Sequence, residues 1–469
     1  MMSAEWSNKL RIQNPTRDLL ELCYSELRLP NPEFYKKQAM GKWTGGTPEF
    51  ISLYEHLGSG IYLPFGCARD VYTTFKSEIG WFKAAFLPVR RINYDSAINL
   101  YPYQRSAVET AIASKNGIIV MPCGAGKTQT ALEIVSRIGG RTLWLTHTYD
   151  LLNQSFQRAL SVLNAPRNTY GEISGGKVNI GSGITFATVQ TMAKIDLPQY
   201  KDAFDVVIVD ECHKAVGTPT RVMQFYKVLS NLSCRYKFGL TATPKRSDGL
   251  QKSMFALLGG IVHEVTREEV ADTTCPVKVV HVQTDYTPDT EAVLAGDGTL
   301  NYSALVDDLT GDDERFELVL DRLFEAYSCD GGILVLGNRV EYLKRMCHEY
   351  TERQIGNAVC LSAMGNSKAA KLERKEALKA LNSGELDCVF ATYQLAKEGL
   401  DVPNLRYVVF ATPEKDKTTV MQAAGRVGRK SDGKECGVVL DFVDNFGMFK
   451  GWAKKRNGYY KKLGYEILS

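Results

Sequence analysis

The sequence lacks the long apolar stretches of membrane proteins. None of its uninterrupted apolar runs approaches the roughly 18 residues needed to cross a bilayer. The first 20 residues are polar and charged and have no apolar centre typical of a secretory signal. Internal repeats and low-complexity tracts are also missing. We therefore expect a cytoplasmic globular protein with no membrane partner.

Cysteine number and spacing argue against a disulfide framework and a zinc site, whereas the charge balance excludes no class of partner. The chain has 11 cysteines, an odd number, and no two of them form a CxxC pair. We expect reduced, buried thiols rather than a disulfide framework or a zinc site. The 57 basic and 53 acidic residues leave a formal net charge of +4. This small excess permits a polyanionic partner without requiring one.

Two blocks of the chain alternate short apolar runs with longer helical stretches, which predicts an α/β fold with two tandem doubly wound parallel sheets. The first block predicts a domain over residues 97–270 and the second a domain over residues 331–445. The predicted strands of the first are Gly117–Met121, Arg141–Thr146, Ile184–Thr188, Asp205–Val209 and Lys237–Leu240. Those of the second are Gly332–Leu336, Ala358–Leu361, Asp387–Ala391, Tyr407–Phe410 and Gly437–Phe442.

Three other segments flank these blocks. Residues 1–96 predict a small accessory module for substrate recognition, with basic and aromatic clusters at 36–46 and 82–91. Residues 271–330 predict a connector with one strand, Pro276–Gln283, and a loop over Ala295–Asp313. The basic, aromatic tail at 446–469 is better interpreted as an amphipathic helix against the second domain than as a nucleic-acid contact.

The segment Met121–Thr128, MPCGAGKT, follows a predicted strand and opens a helix. Gly124 and Gly126 let backbone N–H groups close around phosphate oxygens, next to the positive end of a helix. Lys127 is placed to reach the β- and γ-phosphates, and the Thr128 hydroxyl to bind Mg²⁺. The segment predicts an ATP site.

Asp210 and Glu211 directly follow another buried strand. Two adjacent carboxylates at a strand end are costly unless they meet positive charge. In a protein with a phosphate loop, Asp210 is suited to hold Mg²⁺ and Glu211 to orient and deprotonate the attacking water.

Further segments, in the same order along the chain, resemble the motifs of the superfamily 2 helicases. They are Tyr103-Gln104, Thr146–Leu151, Thr188–Thr191, Asp210–His213, Thr241–Thr243, Thr392–Pro403 and Gln422–Arg429. The resemblance implies two RecA-like domains, ATP and Mg²⁺ as cofactors, and domain motions driven by ATP binding and hydrolysis.

The same resemblance assigns roles to individual residues. It implies that Gln104 reads adenine, that Ala125 belongs to the phosphate loop, and that Gly399 and Asp401 face the nucleotide. It implies that Arg426 and Arg429, at a predicted helix start, neutralise charge on the γ-phosphate. Residues expected to couple hydrolysis to strand movement are His213, Thr241, Thr243 and Gln422. Residues expected to hold nucleic-acid phosphates are Thr148, Gln190, Thr191, Asn338, Arg339 and Thr392.

Within the superfamily, three features make the pattern most similar to the XPB/UvsW type, which includes phage branch-migration helicases: Pro102–Gln104, the run Gly239–Pro244 and the predicted strand Pro276–Gln283. This implies forked or branched DNA as substrate, in a bacterial or phage-infected cell, in replication, recombination or repair. Backbone recognition alone does not separate DNA from RNA. An RNA helicase and a DNA translocase subunit that does not unwind alone therefore stay open, and a monomer is the simplest expectation.

Overall fold

The computed structural model describes most of the chain and divides it into two compact units. The described residues are 1–122, 124–216, 219–244, 250–271, 274–289, 291, 293–295, 299–327, 331–364, 367–397, 402, 404–431 and 433–468. The first unit comprises Met1–Pro122 and Gly126–Thr266. The second comprises Cys123–Ala125 and Arg267–Ser469.

The N-terminal segment of the first unit has seven described strands: β1 Met2–Trp6, β2 Lys9–Gln13, β3 Arg28–Pro30, β4 Phe50–Ser52, β5 Glu55–Leu57, β6 Gly60–Pro64 and β7 Ile79–Ala84. Five of them form a sheet of their own in the order β5-β6-β2-β1-β7. β3 and β4 form a separate antiparallel pair. The helices are α1 Arg17–Glu26, α2 Pro32–Ala39 and α3 Ala68–Thr74. The hydrophobic core of this segment is continuous with that of the following sheet.

Two residues of the basic and aromatic cluster at 82–91 have partners within the first unit. The ring of Phe86 lies against Trp6 and Phe65, at centroid distances of 5.2 and 6.0 Å. Arg90 donates a hydrogen bond to the carbonyl of Asp202. Phe86 thus packs inside the N-terminal segment, and Arg90 links that segment to the following domain. The domain boundary near residue 96 stays a prediction.

The rest of the first unit contains ten described strands: β8 Asp95–Ser96, β9 Asn116–Val120, β10 Thr142–Thr146, β11 Leu163–Asn164, β12 Tyr170–Ser174, β13 Lys177–Asn179, β14 Ile184–Thr188, β15 Val206–Val209, β16 Tyr236–Thr241 and β17 Ile261–Glu264. Eight of them form one sheet in the order β13-β12-β14-β10-β15-β16-β9-β17, in which only the β12–β13 pairing is antiparallel. The helices are α4 Pro102–Ser114, α5 Lys127–Ile138, α6 Tyr149–Val162, α7 Val189–Met192, α8 Pro219–Asn231 and α9 Gln251–Leu258. β8 and β11 form a small separate pair. The five strands predicted here are confirmed.

The second unit is a seven-stranded, wholly parallel sheet in the order β20-β21-β19-β22-β23-β18-β24. Its strands are β18 Val277–Thr284, β19 Gly332–Gly337, β20 Ala358–Cys360, β21 Cys388–Thr392, β22 Leu405–Phe410, β23 Gly437–Asp444 and β24 Glu466–Leu468. Its helices are α10 Arg267–Val270, α11 Tyr302–Gly311, α12 Asp313–Tyr327, α13 Val340–Glu352, α14 Lys368–Ser383, α15 Tyr393–Lys397, α16 Lys417–Ala424 and α17 Gly447–Lys462. The predicted fold class is confirmed.

The segment predicted as a connector differs from expectation in one part. Its strand is confirmed as β18, which pairs with β23 and β24 inside the second sheet. The loop predicted over Ala295–Asp313 is wrong, because α11 occupies Tyr302–Gly311. The Asn301 side chain caps this helix by accepting hydrogen bonds from the backbone N–H groups of Ser303 and Ala304. One face of α11 buries Leu305, Val306 and Leu309.

The tail forms the predicted helix, α17, in which Phe449, Trp452 and Tyr460 are buried and the lysines are exposed. Arg456 differs from the lysines because only 1% of it is exposed. Its guanidinium lies 2.7 Å from Asp441 Oδ1 and donates to Asp441 Oδ2 at 2.9 Å. Removing either partner of such a buried pair leaves an uncompensated charge. This pair therefore fixes α17 on β23.

None of the described helices is both long enough and apolar enough to cross a membrane. The nine cysteines in the described part of the chain carry free thiols.

A buried lysine occupies the interface between the N-terminal segment and the large sheet. Lys237 on β16 has no solvent exposure. Its ammonium donates to the carbonyls of Leu229 and Leu232, at 2.8 and 2.9 Å, and lies 4.2 Å from the centre of the Phe65 ring. Burial lowers the pKa of Lys237 from 10.5 to about 8.

We predict that Lys237 makes stability depend on pH in the alkaline range. Between about pH 8 and 10.5 the unfolded chain binds a proton that the folded chain does not, so the free energy of unfolding rises with pH. Relative to that of Lys237→Met, the free energy of unfolding of the wild type should rise by roughly 2 kcal/mol between pH 7 and 9.5. Urea unfolding of both proteins at each pH measures this. A pH-independent difference would contradict it.

Candidate ATP-binding and catalytic site

The phosphate loop joins β9 to α5 in the predicted way. Gly124 and Gly126 both adopt left-handed backbone conformations, with φ of 85° and 78°. The φ of Gly126 favours glycine, and a Cβ there would lie 2.4 Å from Gln104 Nε2, so the Gln104 side chain would have to shift. Gln104 is 1% exposed, and its Oε1 accepts a hydrogen bond from the Tyr101 backbone N–H at 3.0 Å. The sequence thus folds Gln104 directly against the loop that carries Lys127.

The acidic pair lies where β15 ends. Asp210 is 6% exposed, and its Oδ1 accepts a hydrogen bond from the Glu211 backbone N–H at 2.9 Å. Its Oδ2 accepts one from the Ser155 hydroxyl on α6 at 3.3 Å. Glu211 has a φ of 47°, a left-handed conformation that is uncommon for a residue with a side chain. Such strain persists only where surrounding contacts hold it, and it concentrates at functional sites.

Lys127, Glu211, His213 and Thr241 form one continuous set of contacts. Lys127 Nζ lies 3.5 Å from Glu211 Oε1. His213 Nδ1 lies 3.2 Å from Glu211 Oε2 and 3.0 Å from Thr241 Oγ1. The Thr241 hydroxyl oxygen also accepts a hydrogen bond from the Thr243 backbone N–H at 3.0 Å. The ends of β9, β15 and β16 are therefore linked through side chains.

The two carboxyl groups differ in their affinity for protons. Burial, together with the negative charge of Glu211, raises the pKa of Asp210 to about 6. Burial also disfavours ionisation of Glu211, but the Lys127 ammonium and His213 outweigh it and hold the pKa of Glu211 well below its usual range. Neighbouring acids with divergent pKa values are typical of catalytic sites. Glu211 is thus held as a carboxylate.

The donor set fits a magnesium ion. Asp210 offers a buried carboxylate beside a second negative charge, and Thr128 lies half-buried in the first turn of α5. Carboxylate and hydroxyl oxygens are ligands of the kind that Mg²⁺ prefers. When bound, the ion would neutralise phosphate charge.

Comparison with known proteins gives matches in both units. Residues 97–246 match the family model of the type III restriction enzyme res subunit, and residues 315–431 match that of the helicase conserved C-terminal domain. The chain is a superfamily 2 helicase. Similar proteins include protein L396 of Acanthamoeba polyphaga mimivirus, which carries the name of an ATP-dependent RNA helicase (28% identity; 81% of this chain, 70% of that one). Another is the DNA 3'-5' translocase XPB2 of Sulfurisphaera tokodaii (28% identity; 71% of this chain, 80% of that one).

A solved structure supports the fold. S. cerevisiae Dbp5 bound to RNA and ADP BeF3 is similar with a TM-score of 0.56 at 14% identity, over 78% of this chain and 89% of that one. The family matches make this chain an ATP-hydrolysing helicase.

The second unit of the helicase places the predicted arginines differently from expectation. Arg426 and Arg429 follow the C-terminus of α16 instead of starting a helix. The segment leaves helical geometry because Gly428 accepts a backbone hydrogen bond from Cys275 N and Arg429 forms a β-bridge with Thr274. Arg426 is 9% exposed.

Gln422 lies on α16, one turn before Arg426. Its buried side-chain Oε1 has no hydrogen-bond partner within the described part of the chain. The coupling role predicted for Gln422 stays a prediction. Gly399 and Asp401 lie outside the described residues.

The residues predicted to hold nucleic-acid phosphates gather in two groups, one in each unit. Thr148, Gln190 and Thr191 follow the neighbouring strands β10 and β14, and Gln190 Nε2 donates to the His147 carbonyl at 2.8 Å. In the second unit, Asn338 and Arg339 follow β19, and Thr392 ends the adjacent β21.

Several of these side chains already have local partners. The Thr148 hydroxyl caps α6 by accepting from Leu151 N, and Thr191 Oγ1 accepts a hydrogen bond from Thr188 Oγ1. Arg339 pairs with Asp307, and the Thr392 hydroxyl accepts from Leu395 N. Their contacts with nucleic acid stay predictions.

Motif spacing does not reveal every residue of this site. Ser155, which donates to Asp210, belongs to an ordinary helical pattern and carries no signal of its own. The left-handed backbone of Glu211 is likewise invisible in the sequence. The contact of His213 with Thr241 joins residues 28 positions apart, and only the order of the motifs pointed to it.

We predict that the Thr241 hydroxyl is required for efficient hydrolysis. Thr241→Val leaves His213 Nδ1 and the Thr243 N–H without this partner, whereas Thr241→Ser retains the hydroxyl. Loss of a buried hydrogen-bonding group costs about 1–3 kcal/mol, so kcat for ATP should fall roughly tenfold in the valine variant. Steady-state ATPase assays compare the two proteins. Equal rates would show that the hydroxyl is dispensable.

Proposed function

We propose that this helicase couples ATP hydrolysis to unwinding or branch migration of forked or junction DNA. The observation that supports it most is the contact set Lys127–Glu211–His213–Thr241, in which a phosphate-binding lysine is joined to a candidate coupling threonine. A DNA substrate is supported by the similarity to an XPB2 protein named a DNA 3'-5' translocase. Such an activity would serve replication, recombination or repair.

The residues of the candidate ATP site divide the chemistry between them. Lys127 binds the β- and γ-phosphates, while Glu211 accepts the proton of the attacking water. Thr128 and Asp210 hold Mg²⁺. We assign Gly124, Ala125 and Gly126 to the phosphates, and Gln104 to adenine because Gly126 of the phosphate loop lies beside it.

The second unit is proposed to supply positive charge. Arg426 and Arg429 neutralise the charge that develops on the γ-phosphate, which can accelerate phosphoryl transfer by about 10³-fold or more. Since Lys127 and these arginines belong to different units, binding and release of nucleotide can change how the units associate. Gly399 and Asp401 are proposed to contact nucleotide. His213, Thr241, Thr243 and Gln422 are proposed to pass the change to the polymer.

The polymer is proposed to lie along its phosphates at the ends of β10, β14, β19 and β21. Hydroxyl, amide and guanidinium groups at these ends suit phosphate oxygens and carry no base specificity. The candidate residues are Thr148, Gln190, Thr191, Asn338, Arg339 and Thr392. RNA is a second candidate polymer, because mimivirus L396 carries the name of an RNA helicase.

A substrate series tests the proposal. We expect ATPase stimulation by single-stranded, forked and four-way-junction DNA, and ATP-dependent displacement of strands from forks or junctions. Lys127→Ala, which removes the ammonium near Glu211, serves as the inactive control. The measurements are phosphate release and gel resolution of labelled strands.

Each alternative predicts a different result. Stimulation and displacement with RNA only would contradict a DNA substrate and favour an RNA helicase. Hydrolysis stimulated by DNA without displacement from any substrate would favour a translocase that does not unwind alone.

A further inference from the structure

A short turn of the N-terminal segment is inserted into the first large sheet domain. It is the 3-10 turn Phe65–Cys67, in which Phe65 is 1% exposed. The Trp6 indole N–H donates to the Phe65 carbonyl at 3.1 Å, which fixes the turn to β1. The ring of Phe65 lies under the buried ammonium of Lys237 on β16. The turn is therefore rigid on one side and buried on the other.

Gly66, in the middle of this turn, is in close contact with the backbone at the C-terminal end of α9. A Cβ on Gly66 would lie 2.3 Å from the Gly259 nitrogen and 2.6 Å from the Phe255 carbonyl oxygen. The Cys67 thiol lies 3.8 Å from the Ala256 carbonyl oxygen, within hydrogen-bond range for sulfur. Since the closest atoms are backbone, no side-chain rotation could accommodate an added methyl group. The position of the turn thus fixes the position of α9.

The opposite face of α9 contacts the catalytic strands. Met254 Sδ lies 3.3 Å from the thiol of Cys212, the residue that follows Glu211. A Cβ on Gly239, two residues before Thr241, would lie 2.7 Å from Leu258 Cδ1 and 2.9 Å from Cys212 Sγ. The Leu258 carbonyl accepts a hydrogen bond from Asn116 Nδ2, at the start of β9, at 3.1 Å. One helix therefore contacts β9, β16 and the segment of Glu211.

We infer that α9 is a positioning element, through which the Phe65–Cys67 turn holds Glu211 in its catalytic orientation. This rests on the role proposed for Glu211 as the general base. The left-handed backbone of Glu211 must be held by its neighbours, and Cys212 is its buried neighbour in the chain. Because protein interiors are close-packed, a shift of α9 moves Cys212 with it. Met254 and Gly66 act on the reaction without touching the nucleotide.

Two glycine substitutions test this inference. Gly66→Ala forces the turn away from α9, whereas Gly260→Ala, just beyond the same helix, places its methyl group in open space. We expect Gly66→Ala to lower kcat for ATP roughly tenfold, since small misplacements of catalytic groups have effects of this size. KM for ATP and the Kd of a fluorescent ATP analogue should not change. Gly260→Ala should keep the wild-type kcat.

Substitutions at Met254 provide a second test that leaves the turn intact. Met254→Ala removes the contact with Cys212, and Met254→Leu refills most of the space. We expect kcat to fall in the alanine variant and to recover in the leucine variant, with nucleotide affinity unchanged in both. Thermal unfolding confirms that each protein is folded at the assay temperature.

The inference is overturned if folded Gly66→Ala keeps the wild-type kcat, whether its nucleotide affinity is unchanged or reduced. If Gly66→Ala does not fold, equal kcat values for Met254→Ala and Met254→Leu overturn it. The Glu211→Gln variant distinguishes failure of the inference about α9 from failure of the proposed function. Normal turnover in that variant rejects the general base itself, whatever the α9 variants do.

Discussion

The active site depends on the placement of two buried carboxylates at the end of β15. Asp210 and Glu211 are adjacent, and burial makes their negative charges costly. The Lys127 ammonium, 3.5 Å from Glu211, offsets part of that cost. The phosphate loop must therefore lie near the end of β15, and in the sheet only β16 separates β9 from β15. This strand order brings the Lys127 ammonium next to Glu211, at the site where ATP and Mg²⁺ are proposed to bind.

The sheets could be predicted from the sequence because parallel strands covered on both faces are nearly continuous apolar runs. Ile184–Thr188 has the predicted bounds, and β10 and β15 each begin one residue later than predicted. Helix α11 was missed because its flanking Gly and Asp residues predict a loop, while its stability comes from an Asn301 cap and a buried face. The segment after α16 was misassigned because a long-range bridge to Thr274 ends its helical geometry.

The candidate site was predictable only in part. Motif order identified Lys127, Asp210, Glu211, His213 and Thr241, since their chemistry requires those residue types in that sequence. Ser155, Gly66 and Met254 carry no comparable signal, because their roles come from contacts between residues distant in the chain. The N-terminal segment shows the same limitation. The sequence did not mark Phe65, whose ring lies against Lys237 of the first sheet domain.

Replacing Glu211 by glutamine tests the account most directly. The change keeps the shape of the side chain and removes the group that accepts the proton of water. We predict that Glu211→Gln binds an ATP analogue about as tightly as the wild type and hydrolyses ATP at least ~100-fold more slowly, with or without DNA. Equilibrium binding and phosphate release measure the two quantities. Turnover near the wild-type rate would contradict the assignment of the general base and, with it, the proposed site.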